Sequence, residues 1–299
     1  MTLRSKHLLW AAIGAYASGF CALSILRHHS FNTGRFDLGN MTQAVWATAH
    51  GHPLAVTNLE GDQVSRLGSH VDPILVAFAP LWWIWPSPSM LLAAQAIAIA
   101  IGALPVFWLA RKHLGSERAG LGFALAYLLY PAVQWLTLAE FHPVALACPL
   151  LLFAFWYLDE DRLVPFAVFA GLAALTKEEI PLVIAAMGIW YALSRKRYRI
   201  GGAIAVLGAV ATAISVKLVL PHYNEGASSS FYRRYGALGD SPGEILGTVF
   251  TDPGRLVDVA FDSEGLTHIA NLPLPLVLLS AAPPTVLIAP IPERRLKIL

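Results

Sequence analysis

Apolar runs long enough to cross a bilayer recur along the whole chain, at residues 8–26, 89–110, 119–138, 143–158, 163–176, 180–194, 200–220 and 272–291. Helix is the only element that satisfies its own backbone in such runs, so the pattern predicts an all-α fold, a polytopic transmembrane bundle of about eight spans. The fifth and sixth runs are short and imply local thinning of the bilayer or a turn sheltered below the surface. A ninth run at 73–85 is shorter still and is followed by Pro86, Ser87 and Pro88. Its Trp82, Trp83 and Trp85 are side chains that settle at headgroup level, so it is expected to lie in the interface within a large first loop.

Charge orients this bundle. Placing the N-terminus in the cytoplasm puts 13 of the 21 Lys and Arg residues on short inner connections, including Arg111, Lys112 and the group Arg195, Lys196, Arg197 and Arg199. Counting 73–85 as a span would turn those clusters outward. The outer side then carries two long loops, 27–88 and 221–271, in one membrane domain covering 1–299. The run at 8–26 follows Arg4 and Lys6 as a signal peptide would, but the spans after it favour an uncleaved first helix. Residues 293–299 end abruptly after a proline-rich run, as a fragment of a longer chain would.

Composition narrows the class further. Of the 299 residues, 56% are hydrophobic and 13% charged, with a mean hydropathy of +0.58, which excludes an ordinary soluble domain. A formal charge of +2 without a basic stripe gives no reason to expect nucleic acid. Cys21 and Cys148 both sit inside apolar runs, so neither a disulfide framework nor a CxxC zinc site is available.

Histidine is uneven: His28, His29, His50, His52, His70, His142, His222 and His268 fall on or near the outer face. Long polar loops explain much of this, but several groups stand out. Asp37, in the stretch 34–40, is flanked by apolar residues and glycine; it is either an N-cap for a helix starting at Leu38 or a partly buried base or cation ligand. His70 and Asp72 precede Pro73, where Asp72 reads equally as a cap and His70 as a phosphate or metal group. Glu140 and His142, and Lys177, Glu178 and Glu179, sit in outward turns squeezed between apolar runs, where ionisable groups must pair or line a wet cavity. For the second of these a self-neutralising turn is the plain alternative. Arg233 and Arg234 are bracketed by Phe231, Tyr232 and Tyr235, a setting suited to phosphate and sugar.

The order of these parts resembles the C-type superfamily of integral membrane glycosyltransferases: a first span, a large outer loop with an early acid, interfacial helices, then a span ending in a basic turn. Phe36-Asp37-Leu38-Gly39, Ser69-His70, Phe141-His142-Pro143 and Lys177-Glu178-Glu179 resemble, within it, the group of predicted membrane proteins called domain of unknown function 2079. The resemblance implies a membrane enzyme moving a sugar from a polyprenyl-phosphate donor to a glycan, lipid or protein acceptor on the non-cytoplasmic face. Asp37 would be the base or a metal-linked carboxylate, with Mg or Mn as the candidate cation. His70, Lys177, Arg233 and Arg234 would hold the donor phosphate, and Glu140, His142, Glu178 and Glu179 would line the cavity. The contrasting expectation is a non-catalytic transporter or lipid-binding protein whose ionisable groups line a path.

Overall fold

The computed structural model describes residues 1–224, 236–239, 241–262 and 265–267. The expected eighth span, Arg233 and Arg234 lie outside these residues. Packing divides the chain into two compact units, one ending at Ile180 and one beginning at Pro181.

In the first unit, α1 (Leu3–His29) is capped at its start by the Thr2 hydroxyl, which accepts from the Ser5 amide at 3.3 Å. Its end is a Schellman turn, with the Asn32 amide donating to Arg27 and the Phe31 amide to His28. Phe31 takes the left-handed position, at φ 58°, that glycine usually fills. The first loop then forms α2 (Arg35–Ala49), a small antiparallel hairpin of β1 (Ala55–Thr57) and β2 (Gln63–Ser65), and a 3₁₀ turn, Pro73–Phe78, running into α3 (Ala79–Ile84). The hairpin is the one departure from an all-α reading among the described residues. It closes around Gly61 at φ 95° and pairs Val56 with Val64.

Next, α4 (Pro88–Ile101) and α5 (Ala103–Leu114) form one apolar rod jointed at Gly102. The Pro105 ring removes the N–H that would bond Ile101. A side chain at Gly102 would strike the Tyr127 hydroxyl, which donates to the Ile99 carbonyl at 2.8 Å. α6 (Glu117–Leu129) and α7 (Pro131–Leu138) meet at a 47° bend where Pro131 starts the new helix. A 3₁₀ turn, Pro143–Leu146, leads into α8 (Ala147–Asp159), followed by α9 (Leu163–Ala174). In the second unit, α10 (Ile180–Arg195) is followed by α11 (Tyr198–Ile214), a π-turn at Ser215–Val219 and α12 (Leu220–Tyr223); α13 (Pro242–Thr251) and α14 (Pro253–Ala260) come later.

Among the described residues three helices are long and apolar enough to cross a membrane, Leu3–His29, Pro88–Leu114 and Tyr198–Tyr223, and the bent pair α6–α7 makes a fourth if it counts as one span. The other apolar runs form shorter helices, Pro73–Ile84, Pro143–Asp159, Leu163–Ala174 and Ile180–Arg195. Many large apolar side chains on these elements are exposed, among them Leu8, Leu23, Val164, Val206 and Leu207, as in a chain whose outer surface meets lipid. Two of the cores in the first unit hold its first loop and α1 in place. One gathers Leu38, Met41, Val45, Leu75, Phe78 and Phe141, binding the first loop to the start of α4. The other packs Leu9, Ile13 and Tyr16 of α1 against Ile99, Phe107 and Leu128.

The hairpin α10–α11 rests on glycine. A Cβ at Gly188 would lie 2.6 Å from the Ala205 amide nitrogen, and one at Gly201 would lie 2.5 Å from the Gly188 carbonyl oxygen and 2.6 Å from Ala192. Gly208 likewise abuts the Pro181 carbonyl and Ala185. Small residues let two backbones touch where hydrocarbon offers no hydrophobic drive to pair helices. Gly201→Leu is therefore expected to destabilise the purified protein by at least about 1–3 kcal/mol in thermal unfolding. Gly202→Leu, whose Cβ meets nothing within 4 Å, should stay within about 0.5 kcal/mol of wild type.

Candidate functional site

The site is built around the end of α7. A helix leaves its last carbonyl groups without intrahelical donors, and in an apolar setting water does not replace them. Here three side chains do so. Gln95, fully buried in α4, donates to the carbonyls of Leu136 at 3.1 Å and Ala139 at 3.3 Å; Ser24 and Arg27 of α1 donate to those of Thr137 and Leu138 at 3.3 and 3.1 Å. The other end of the same amide, Gln95 Oε1, accepts from the His142 backbone N–H at 3.0 Å. One buried glutamine thus sets the path of residues 136–142.

That path carries Glu140 and His142 to the first turn of α2. The Glu140 carboxylate accepts from the Gly34 amide through Oε1, while Oε2 is buried without a hydrogen-bond partner. A Cβ at Gly34 would lie 2.5 Å from that carboxylate, so a larger residue there would push the Glu140 side chain aside. His142 turns Nδ1 toward the Glu140 carbonyl at 2.8 Å, and because a carbonyl only accepts, Nδ1 carries the proton. The other ring nitrogen, Nε2, points toward Asp37 Oδ2 at 3.6 Å, an ion-pair separation rather than a direct hydrogen bond. Asp37 is 53% exposed on its side chain, so this acid–imidazole pair is open to a ligand. Asp37 is not an N-cap: α2 starts at Arg35 with Gly34 as its cap residue, and the acid sits in the first turn.

One turn further along α2, Asn40 Oδ1 accepts from Arg66, which also clasps Asp72 with Nε at 2.9 Å and Nη2 at 2.6 Å. Arg66 and Asp72 are both buried; burial pushes the Asp72 carboxyl up, and the guanidinium only partly reverses it. Asp72 occupies the cap position before Pro73, as expected, but its side chain is taken by Arg66 and makes no cap hydrogen bond. Beside it, Glu178 reaches back from the turn before α10, accepting from His70 Nδ1 at 2.9 Å and the Val71 amide at 3.0 Å. The Ile74 amide bonds the Leu175 carbonyl at 3.0 Å, closing the same seam. Lys177 pairs with Glu179 at 2.7 Å, so the turn is self-neutralising for those two residues and not for Glu178.

The expected residues therefore resolve into a pair, Asp37 with His142 and Glu140 behind it, a clasp of His70 with Glu178, and a pair of Lys177 with Glu179. Phe78 and Phe141 join the first two through the core, their rings 5.4 Å apart and edge-on. A separate, partly open cavity of about 1020 Å³ lies on another face of α2, walled by His28, His29, Thr42, Trp46 and Trp82. None of Asp37, His70, His142 and Lys177 lines it. Gln95, Arg66 and Asn40 are additions that the sequence reading missed. Gln95 had a signal, as the single amide side chain within the apolar run at 89–110; Arg66 and Asn40 acquire meaning only through partners distant in the chain.

Fold and site together define a multi-pass helical membrane protein with a polar cluster held where its first loop meets the ends of its helices. The chain belongs to the family described as predicted membrane protein (DUF2079), whose model matches residues 27–298. No curated protein and no solved structure matches the chain.

Burial pushes the Glu178 carboxyl up, but the His70 hydrogen bond and charge and the backbone amides outweigh it, leaving the group below its ordinary 4.5. A carboxyl lowered in the folded state contributes stability that is complete at neutral pH and is lost as pH falls below about 4.5 through the folded value. Glu178→Gln should thus lower stability at pH 7 by about 1–3 kcal/mol. Its difference from wild type in thermal unfolding should shrink progressively as the pH is taken below 4.5.

Proposed function

We propose that the chain is an integral membrane glycosyltransferase of the C-type superfamily, moving a sugar from a polyprenyl-phosphate donor to an acceptor hydroxyl on the non-cytoplasmic face. In this reading the N-terminus is cytoplasmic and the chain makes about eight crossings. The observation that carries it is the Asp37–His142 pair, an exposed carboxylate facing an imidazole whose tautomer the Glu140 carbonyl fixes. Such a pair removes a proton from a hydroxyl as that oxygen attacks the anomeric carbon. The bond from that carbon to the phosphate oxygen breaks, and the phosphate leaves with the electron pair. His70 and Lys177, with Arg233 and Arg234 of the second loop, supply cationic groups for the departing charge. Glu178 and Glu179 hold the first two in place. Among the described residues no three His, Cys, Asp or Glu side chains gather as metal ligands, so a cation held by protein groups alone does not fit, and no step is assigned to one.

The test is transfer in lipid nanodiscs from a polyprenyl-phosphate-linked sugar to a hydroxyl acceptor. Asp37→Asn and His142→Gln should each lower turnover by about 100-fold or more while the protein stays folded. Full activity in both variants would sink the assignment. Donor retained by wild type with no turnover toward any acceptor would instead mark a transporter or lipid-binding protein.

A further inference from the structure

The cavity beside α2 is not part of the acid–imidazole pair, and its walls have a chemistry of their own. Leu38, Gly39, Thr42, Gln43 and Trp46 recur on one face of α2; His28, His29 and Phe31 come from the end of α1, and Trp82 from α3. α1 is a 27-residue apolar helix, and α3 carries the interfacial tryptophans, so the cavity opens at the height where lipid headgroups lie.

Its lining is selective in what it omits. Among the described residues that wall it there is no carboxylate, ammonium or guanidinium, which disfavours a metal cation and a tightly held phosphate alike. What remains is indole and phenyl surface together with hydroxyls, imidazoles and an amide. That combination suits a ring with apolar C–H faces and a rim of neutral hydroxyl groups. Phe31, in the left-handed position that ends α1, stands 94% exposed beside this lining.

We infer that this cavity binds the neutral sugar ring of a membrane-anchored glycolipid, with the lipid tail running along the exposed apolar surface of α1. This deepens the transferase reading and rests on it for what becomes of the sugar, but the binding itself does not require turnover.

Two substitutions isolate the cavity without endangering the fold. A Cβ at Gly39 meets nothing within 4 Å, so Gly39→Leu projects into open space while a better helix former replaces glycine. Phe31→Gly removes a wall and relieves a left-handed backbone, so it should fold at least as well as wild type. The experiment is native mass spectrometry of the full chain released from nanodiscs containing monohexosyl diacylglycerol, plain diacylglycerol and phosphatidylglycerol. Wild type should retain the hexosyl lipid about tenfold over either other lipid, and both variants should lose that preference while keeping their melting temperatures. Equal retention of hexosyl lipid and diacylglycerol, a preference for phosphatidylglycerol, or a preference that survives in both variants would each overturn the inference. Asp37→Asn separates the two readings: hexosyl preference kept there and lost in the cavity variants sustains the sugar pocket even if no transfer is ever measured.

Discussion

The constraint on which the first unit depends is the demand of α7 for hydrogen-bond donors at its C-terminal end. Four consecutive carbonyls, from Leu136 to Ala139, lie beyond the reach of intrahelical donors, and each receives a side-chain donor from α1 or α4. Because Gln95 serves two of them and also receives the His142 amide, satisfying the helix end fixes the following turn without further cost. Polar residues of α1 have the same purpose: Tyr16 bonds Thr137 at 2.6 Å, and Ser24 and Arg27 finish the helix end. Unsatisfied backbone in hydrocarbon costs several kcal/mol per group, so these bonds are structural before they are functional.

From that fixed turn, α2 distributes three kinds of surface. Leu38, Met41 and Val45 enter the core; Asp37 and Asn40, one turn apart, meet His142 and Arg66; Gly39, Thr42 and Trp46 wall the cavity. A 15-residue helix can do this because side chains three and four apart share a face while intervening residues point elsewhere. Chemistry and ligand space therefore sit on one rigid element, each on its own side.

Hydrophobic runs in the sequence located the apolar helices α1 and α3 to α11, because in apolar segments the periodicity and the length of the run carry the same message, but not α2, α13 or α14. They were silent on where the rods break: the joint at Gly102 follows from Pro105 and from Tyr127 packing against it, and the 47° bend from Pro131. The count of crossings depends on helix length, and four of the apolar elements prove shorter than a bilayer requires by length alone. Asp37, His70, His142 and Lys177 stood out because ionisable groups beside apolar runs are costly. Glu178 and Glu179 stood out for the same reason, but the long-range pairing did not: Glu178 is more than a hundred residues from His70, and no local pattern announces such a contact. Asp37 and Asp72 both looked like caps, but Gly34 fills the first role, and the buried guanidinium of Arg66 claims the second acid.

The seam between the first loop and the turn before α10 has a bearing on how the protein is made. The His70 ring and the Val71 and Ile74 amides find partners at Glu178 and Leu175, and the α2 end of the same loop meets Glu140 and His142. A chain synthesised from its N-terminus emits this loop long before those partners exist. Its buried arginine and aspartate are only six residues apart and need nothing synthesised later to meet. The bonds of this lobe thus differ in how much chain each must await: six residues for the ion pair, and more than a hundred for the seam.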